Sequence, residues 1–195
     1  MNTPNKLTIT RIILAPIFMV FFMTENVYCR ALSLVIFTVA SLTDLWDGYL
    51  ARKYGIITGF GKFMDPLADK ILTSTAFISF AALGYVQAWV IMLIIFREFF
   101  ITGLRSLAAY RGIVISPTLS AKFKTALQML TIVAILLYIN LKTILPALGY
   151  SGNFFQLELV VQIFDWLVLL TMVVTILTGI DYLIKNGRIL KGVLK

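Results

Sequence analysis

The chain has 195 residues, of which 60% are hydrophobic and 13% charged, with a mean hydropathy of +0.95. Soluble domains run near 25% charged residues, so a water-soluble globule of this size could not hide so much apolar surface, and an integral membrane protein is expected. The absence of His and the single Cys29 exclude imidazole bases, zinc sites of the His or Cys type and disulfide frameworks.

Six apolar stretches follow one another: Leu7–Met23, Ala31–Tyr49, Pro66–Leu83, Val86–Tyr110, Thr125–Leu145 and Leu157–Ile184. Each is long enough, or nearly so, to cross a bilayer as a helix. The first is followed by no small-residue cleavage site, so a spanning helix is expected there rather than a removed leader. The chain reads as a single all-α membrane domain over residues 1–195, with six transmembrane helices and no soluble domain.

Seventeen Lys+Arg against nine Asp+Glu leave a formal charge of +8. In so hydrophobic a chain this excess serves topology and anionic lipid or phosphate groups rather than nucleic acid. With the N-terminus in the cytoplasm, every basic residue except Arg30 and Lys142 falls on the inner side. The positive-inside rule therefore predicts both termini in the cytoplasm. Residues 186–195 mix basic residues with Ile189, Leu190, Val193 and Leu194. They read either as an interfacial segment on an anionic leaflet or as an ordinary basic flank.

Four of the nine acidic residues lie between positions 44 and 69. Asp44 and Asp47 are i, i+3 near the inner end of the second stretch, and Asp65 and Asp69 are i, i+4 at the start of the third. Either spacing puts both carboxylates on one helix face. The two helices are expected to be antiparallel neighbours joined by the Gly-rich turn at residues 53–61, so that all four carboxylates converge. Such a cluster at the membrane edge needs cations. Without imidazole or thiolate, one or two oxygen-liganded divalent ions are the expected solution. Gly48 and Ala51 are small, and Arg52 is suited to a phosphate. The alternative is an interfacial charge network with Arg52, Lys62 and Lys70.

The string D-L-W-D-G-Y-L-A-R, eight residues, then G-K-F-M-D-P-L-A-D resembles the signature of the CDP-alcohol phosphotransferase family, D-x-x-D-G-x-x-A-R, x8, G-x-x-x-D-x-x-x-D. Every fixed position is filled. The resemblance implies a six-helix, metal-dependent enzyme that displaces CMP from a CDP-linked lipid or alcohol. Carried onto this chain, it makes Asp44, Asp47 and Asp65 ligands of a pair of divalent cations, Mg²⁺ or Mn²⁺. Asp69 becomes a ligand or neighbour that also takes the proton from the acceptor hydroxyl. Gly48, Ala51, Arg52 and Gly61 would line the site of the CDP-lipid. A homodimer in the bacterial cytoplasmic membrane, with its site facing the cytoplasm, is also implied.

The acceptor is read from basic residues further along. Arg105 and Arg111 of the fourth stretch and Lys122 and Lys124 before the fifth could bind a dianionic phosphate. Arg97 and Glu98 are either functional or a structural ion pair. The strings N-K-L-T-I-T-R, R-E-F-F-I-T-G-L-R and S-A-K-F-K-T-A-L-Q resemble one branch of the family. Its bacterial members transfer the phosphatidyl group of CDP-diacylglycerol to glycerol 3-phosphate. The rival readings are a related synthase that takes an inositol phosphate and a divalent-cation transporter built on the acidic cluster. Asp165 has no evident partner in the sequence.

Overall fold

A computed structural model describes residues 3–54, 59–113, 119–149 and 157–194, with side chains over 7–43, 64–113, 119–149 and 158–187. These residues form six helices: α1 (Thr3–Met23), α2 (Val27–Tyr54), α3 (Gly59–Ala82), α4 (Ala88–Tyr110), α5 (Leu119–Ala147) and α6 (Leu157–Leu194). Each apolar stretch lies essentially within one helix. The helices reach further than the hydropathy does, because hydrogen bonding continues into the polar flanks. Thus α3 begins at Gly59, ahead of Pro66, and α5 at Leu119, ahead of Thr125. The basic tail is helical too, since α6 runs unbroken to Leu194.

The helix ends are set by local chemistry. Gly84 and Gly112 adopt φ of 75° and 80° just past α3 and α4, which lets Tyr85 N and Ile113 N reach back to Phe80 O (3.0 Å) and Ala108 O (2.9 Å). These are glycine C-terminal caps that need the left-handed conformation. At the start of α4, Gln87 N donates to Asp165 Oδ1 of α6 at 3.2 Å. Asp165 therefore has a partner: its carboxylate meets the positive end of the α4 dipole.

Packing departs from the expectation that α2 and α3 are close neighbours. Among the described residues, α1 lies along both, while α2 and α3 barely touch. The reason is a row of aromatic rings. Phe18 and Phe22 of α1 stack at 5.3 Å, Phe37 of α2 leans on Phe18 at 5.3 Å, and Phe80 of α3 meets Phe22 edge-on at 5.7 Å. Fully buried Ala15, Ala40, Ala68 and Ala76 let the backbones approach. On the other side, α4 packs on α6 and α3, and α5 on α6 and α2. Thr131 of α5 and Thr171 of α6 share a hydrogen bond of 3.0 Å there.

Trp166, Leu170, Val173, Leu177, Ile180 and Ile184 form an exposed apolar strip on α6, which marks contact with something other than water. Two helical segments among the described residues, Leu119–Ala147 and Glu158–Gly187, are long and apolar enough to cross a membrane. The architecture is all-helical and compatible with a membrane protein.

Candidate active site

The alternating helices bring the starts of α1, α3 and α5 and the ends of α4 and α6 to one end of the bundle. Two cavities among the described residues open there. The larger, about 560 Å³, lies between α2, α3 and α5 and is lined mainly by apolar side chains, among them Leu34, Phe37, Leu72 and Leu136. Its polar residues include Arg11, Asp69, Lys70, Thr73 and Gln128. The smaller, about 90 Å³, lies between α3, α4, α5 and α6, and its lining includes Lys70, Arg97, Glu98, Arg105, Lys124, Thr178 and Tyr182. Lys70 belongs to both.

Asp69 is 38% exposed in its side chain, with Oδ2 3.1 Å from Lys70 Nζ. The first oxygen of Asp65 accepts a 2.5 Å hydrogen bond from Thr8 Oγ1. Thr8 and Arg11 are fully or almost fully buried. Both sit in the string N-K-L-T-I-T-R, the sequence signal that pointed to them without giving them a role. Asp44 and Asp47 lie on α2, and Gly61 on α3, as far as the backbone is concerned. Beyond the backbone, the surroundings of Asp44, Asp47, Gly48, Ala51, Arg52 and Gly61 lie outside what is described.

The donor chemistry fits a hard divalent cation. Asp65 and Asp69 are one turn apart, the chain has no His, and the free Cys29 sits at the start of α2, at the opposite end of the bundle. The described carboxylates do not complete such a site by themselves, because no group of three or more potential ligands comes together among the described residues.

The smaller cavity is organised by Glu98, which is 3% exposed. Its Oε2 lies 3.0 Å from Lys70 Nζ, and its Oε1 meets Arg97 Nη1 at 3.1 Å and Lys124 Nζ. Arg97 Nη2 also donates to Thr178 Oγ1 of α6 at 3.1 Å. A single buried carboxylate thus gathers three cations, with Arg105 as a fourth beside them. Burying such a cluster is costly unless each charge is paired. Four cations against Glu98 and the Asp69 that also pairs with Lys70 still leave an excess of positive charge suited to a phosphate dianion.

Of the four basic residues singled out for an acceptor phosphate, Arg105 and Lys124 line this cavity. Arg111 and Lys122 are exposed and do not. The cavity adds Lys70 and Arg97, expected in the sequence only as a counter-ion of the acidic cluster and as an ion-pair partner of Glu98, pairings that are both present, and also Thr178 and Tyr182. The last two lie on α6, at no motif spacing from the other helices, so only packing reveals them.

The family described as CDP-alcohol phosphatidyltransferase matches residues 1–177. A Bacillus subtilis protein named CDP-diacylglycerol–glycerol-3-phosphate 3-phosphatidyltransferase is 38% identical, over 97% of this chain and 97% of its own length. A protein of the same name from Rickettsia typhi is 36% identical, over 93% of this chain and 94% of its own. With this match along most of its length, the chain belongs to the CDP-alcohol phosphatidyltransferase family.

Proposed function

We propose that the protein transfers the phosphatidyl group of CDP-diacylglycerol to glycerol 3-phosphate, giving phosphatidylglycerophosphate and CMP. The observation that carries this reading is the cationic cavity of Lys70, Arg97, Arg105 and Lys124 next to the Asp69 carboxylate. A phosphorylated acceptor needs such a pocket, and serine, choline or ethanolamine would not. The two relatives carry the name of this activity over nearly their whole length.

In this reading the acceptor phosphate sits among the four cations, which aims the free hydroxyl at Asp69. Asp69 takes the hydroxyl proton as the oxygen attacks the lipid-bearing phosphorus, and the bond from that phosphorus to CMP breaks. Asp44, Asp47, Asp65 and Asp69 would hold a pair of divalent cations, Mg²⁺ or Mn²⁺, whose charge would offset that of the pyrophosphate. Gly48, Ala51, Arg52 and Gly61 accommodate the CDP group. The apolar larger cavity takes lipid, with the acyl chains leaving sideways into the bilayer. In this reading the six helices span the bacterial cytoplasmic membrane with both termini and the site on the cytoplasmic side, as the distribution of basic residues supports, and the protein acts as a homodimer.

The test is CMP release from CDP-diacylglycerol with a panel of acceptors, with and without chelator. Glycerol 3-phosphate should support release, chelator should abolish it, and Asp69→Asn should lose turnover while the nucleotide-lipid still binds. Preference for an inositol phosphate would move the protein to the related synthase. Divalent-cation flux in liposomes without CDP-lipid would favour a transporter.

A further inference from the structure

Gly179 of α6 has no charge and no hydrogen-bonding side chain, yet it lies against Arg97, one of the cations of the smaller cavity. A Cβ built on Gly179 would stand 2.7 Å from Arg97 Nε, 3.3 Å from Arg97 Cγ and 3.6 Å from Arg97 Cδ. Carbon does not approach another heavy atom so closely without something shifting. The forbidden contact is with Nε, where the stem joins the guanidinium, and Cγ is also tight, so a methyl at 179 forces the Arg97 side chain out of its present position.

The tip itself is held from two sides. Nη1 is 3.1 Å from Glu98 Oε1, and Nη2 donates to Thr178 Oγ1 at 3.1 Å. Thr178 Oγ1 in turn donates to Val174 O at 2.8 Å, which fixes its rotamer. An arginine side chain has many conformers, and its planar fork binds phosphate best when held in one. Gly187, in the same helix, and Gly103, in α4, would meet nothing within 4 Å on gaining a Cβ. Among the described glycines, the close approach is therefore special to Gly179.

We infer that the Thr178–Gly179 pair of α6 positions Arg97 in the acceptor pocket, Gly179 by leaving room for the arginine stem and Thr178 by holding its far nitrogen. This assigns to α6, which carries none of the family's motif residues, a positioning role in acceptor recognition. It rests on the proposed function for the meaning of the pocket, and on geometry alone for the placement of Arg97.

The experiment uses the full chain, purified and reconstituted, with CMP release and thermal melting both measured. Gly179→Ala should raise KM for glycerol 3-phosphate about tenfold, the size of a lost charge-assisted hydrogen bond, and leave KM for CDP-diacylglycerol unchanged. Gly187→Ala should change neither. In an Arg97→Ala background, Gly179→Ala should add nothing to KM, because its effect passes through the arginine.

Melting separates this inference from the reading it rests on. Gly179→Ala should melt below Gly187→Ala, which carries the helix-propensity gain of a Gly-to-Ala change without the clash, and Arg97→Ala should remove that difference in the double variant. If the wild type shows no saturation with glycerol 3-phosphate, the acceptor reading falls, and restored melting in the double variant still supports the placement. A folded Gly179→Ala protein with unchanged acceptor KM overturns the positioning role. So does a Gly179→Ala effect that persists undiminished without Arg97.

Discussion

Glu98→Ala is the most informative single change for the smaller cavity. Its side chain is 4% exposed, and its carboxylate meets Lys70, Arg97 and Lys124. Removing one partner of a buried ion pair costs about 3–5 kcal/mol, because the remaining charge stays desolvated. Two of the three cations keep a partial substitute here: Lys70 retains Asp69 at 3.1 Å and Arg97 retains Thr178 at 3.1 Å. Lys124, 4% exposed in its side chain, loses its one ion-pair partner among the described residues. The expected cost therefore sits at the lower end, about 3 kcal/mol, which for a chain of this size lowers Tm by roughly 6–12 °C. Thermal melting of the purified protein in one detergent reads it, with Glu98→Gln as the variant that keeps shape and loses charge and should fall between. A Glu98→Ala protein melting within about 2 °C of wild type would show that Glu98 is not the common counter-ion of this cluster.

Three further outcomes follow from the same geometry. Arg105→Ala should raise KM for glycerol 3-phosphate about tenfold and Lys122→Ala should not, since only Arg105 lines the cavity; equal effects would relocate the acceptor site. Thr8→Val removes the hydrogen bond to Asp65 and should raise the Mg²⁺ or Mn²⁺ concentration for half-maximal activity roughly 10–100-fold, as loss of an orienting partner does, read by metal titration. Asp165→Ala uncaps Gln87 N at the start of α4 and should cost about 1 kcal/mol, a fall of roughly 2–4 °C, with kcat unchanged because the cap is at the opposite end of α4 from the cavities.

Much of the helical architecture was legible in the sequence because length and hydropathy are local properties. A run of about 20 apolar residues excludes nearly everything but a helix, and all six runs lie essentially within helices. Asp65 and Asp69 were legible as a pair because i, i+4 is fixed by the helix itself. Arg105 and Lys124 were legible as basic residues near the same membrane face. Lys70 was legible as a counter-ion of the acidic cluster but not as a partner of Glu98, which lies on α4 across the bundle. Nor was the partner of Asp165, which is 78 residues away along the chain.

The sequence by itself determined the number of helices, the family and the carboxylate motif, since each is written in periodicity or fixed spacing along one chain segment. The tertiary structure alone decided which helices touch and which charges meet. It set α1 along both α2 and α3 through the Phe18, Phe22, Phe37 and Phe80 contacts. It also gathered Lys70, Arg97 and Lys124 from three helices onto Glu98, and brought Gly179 from a fourth against Arg97. Hydropathy cannot encode such meetings: it ranks residues by preference for a medium, while packing depends on the shape that each side chain leaves for its neighbour.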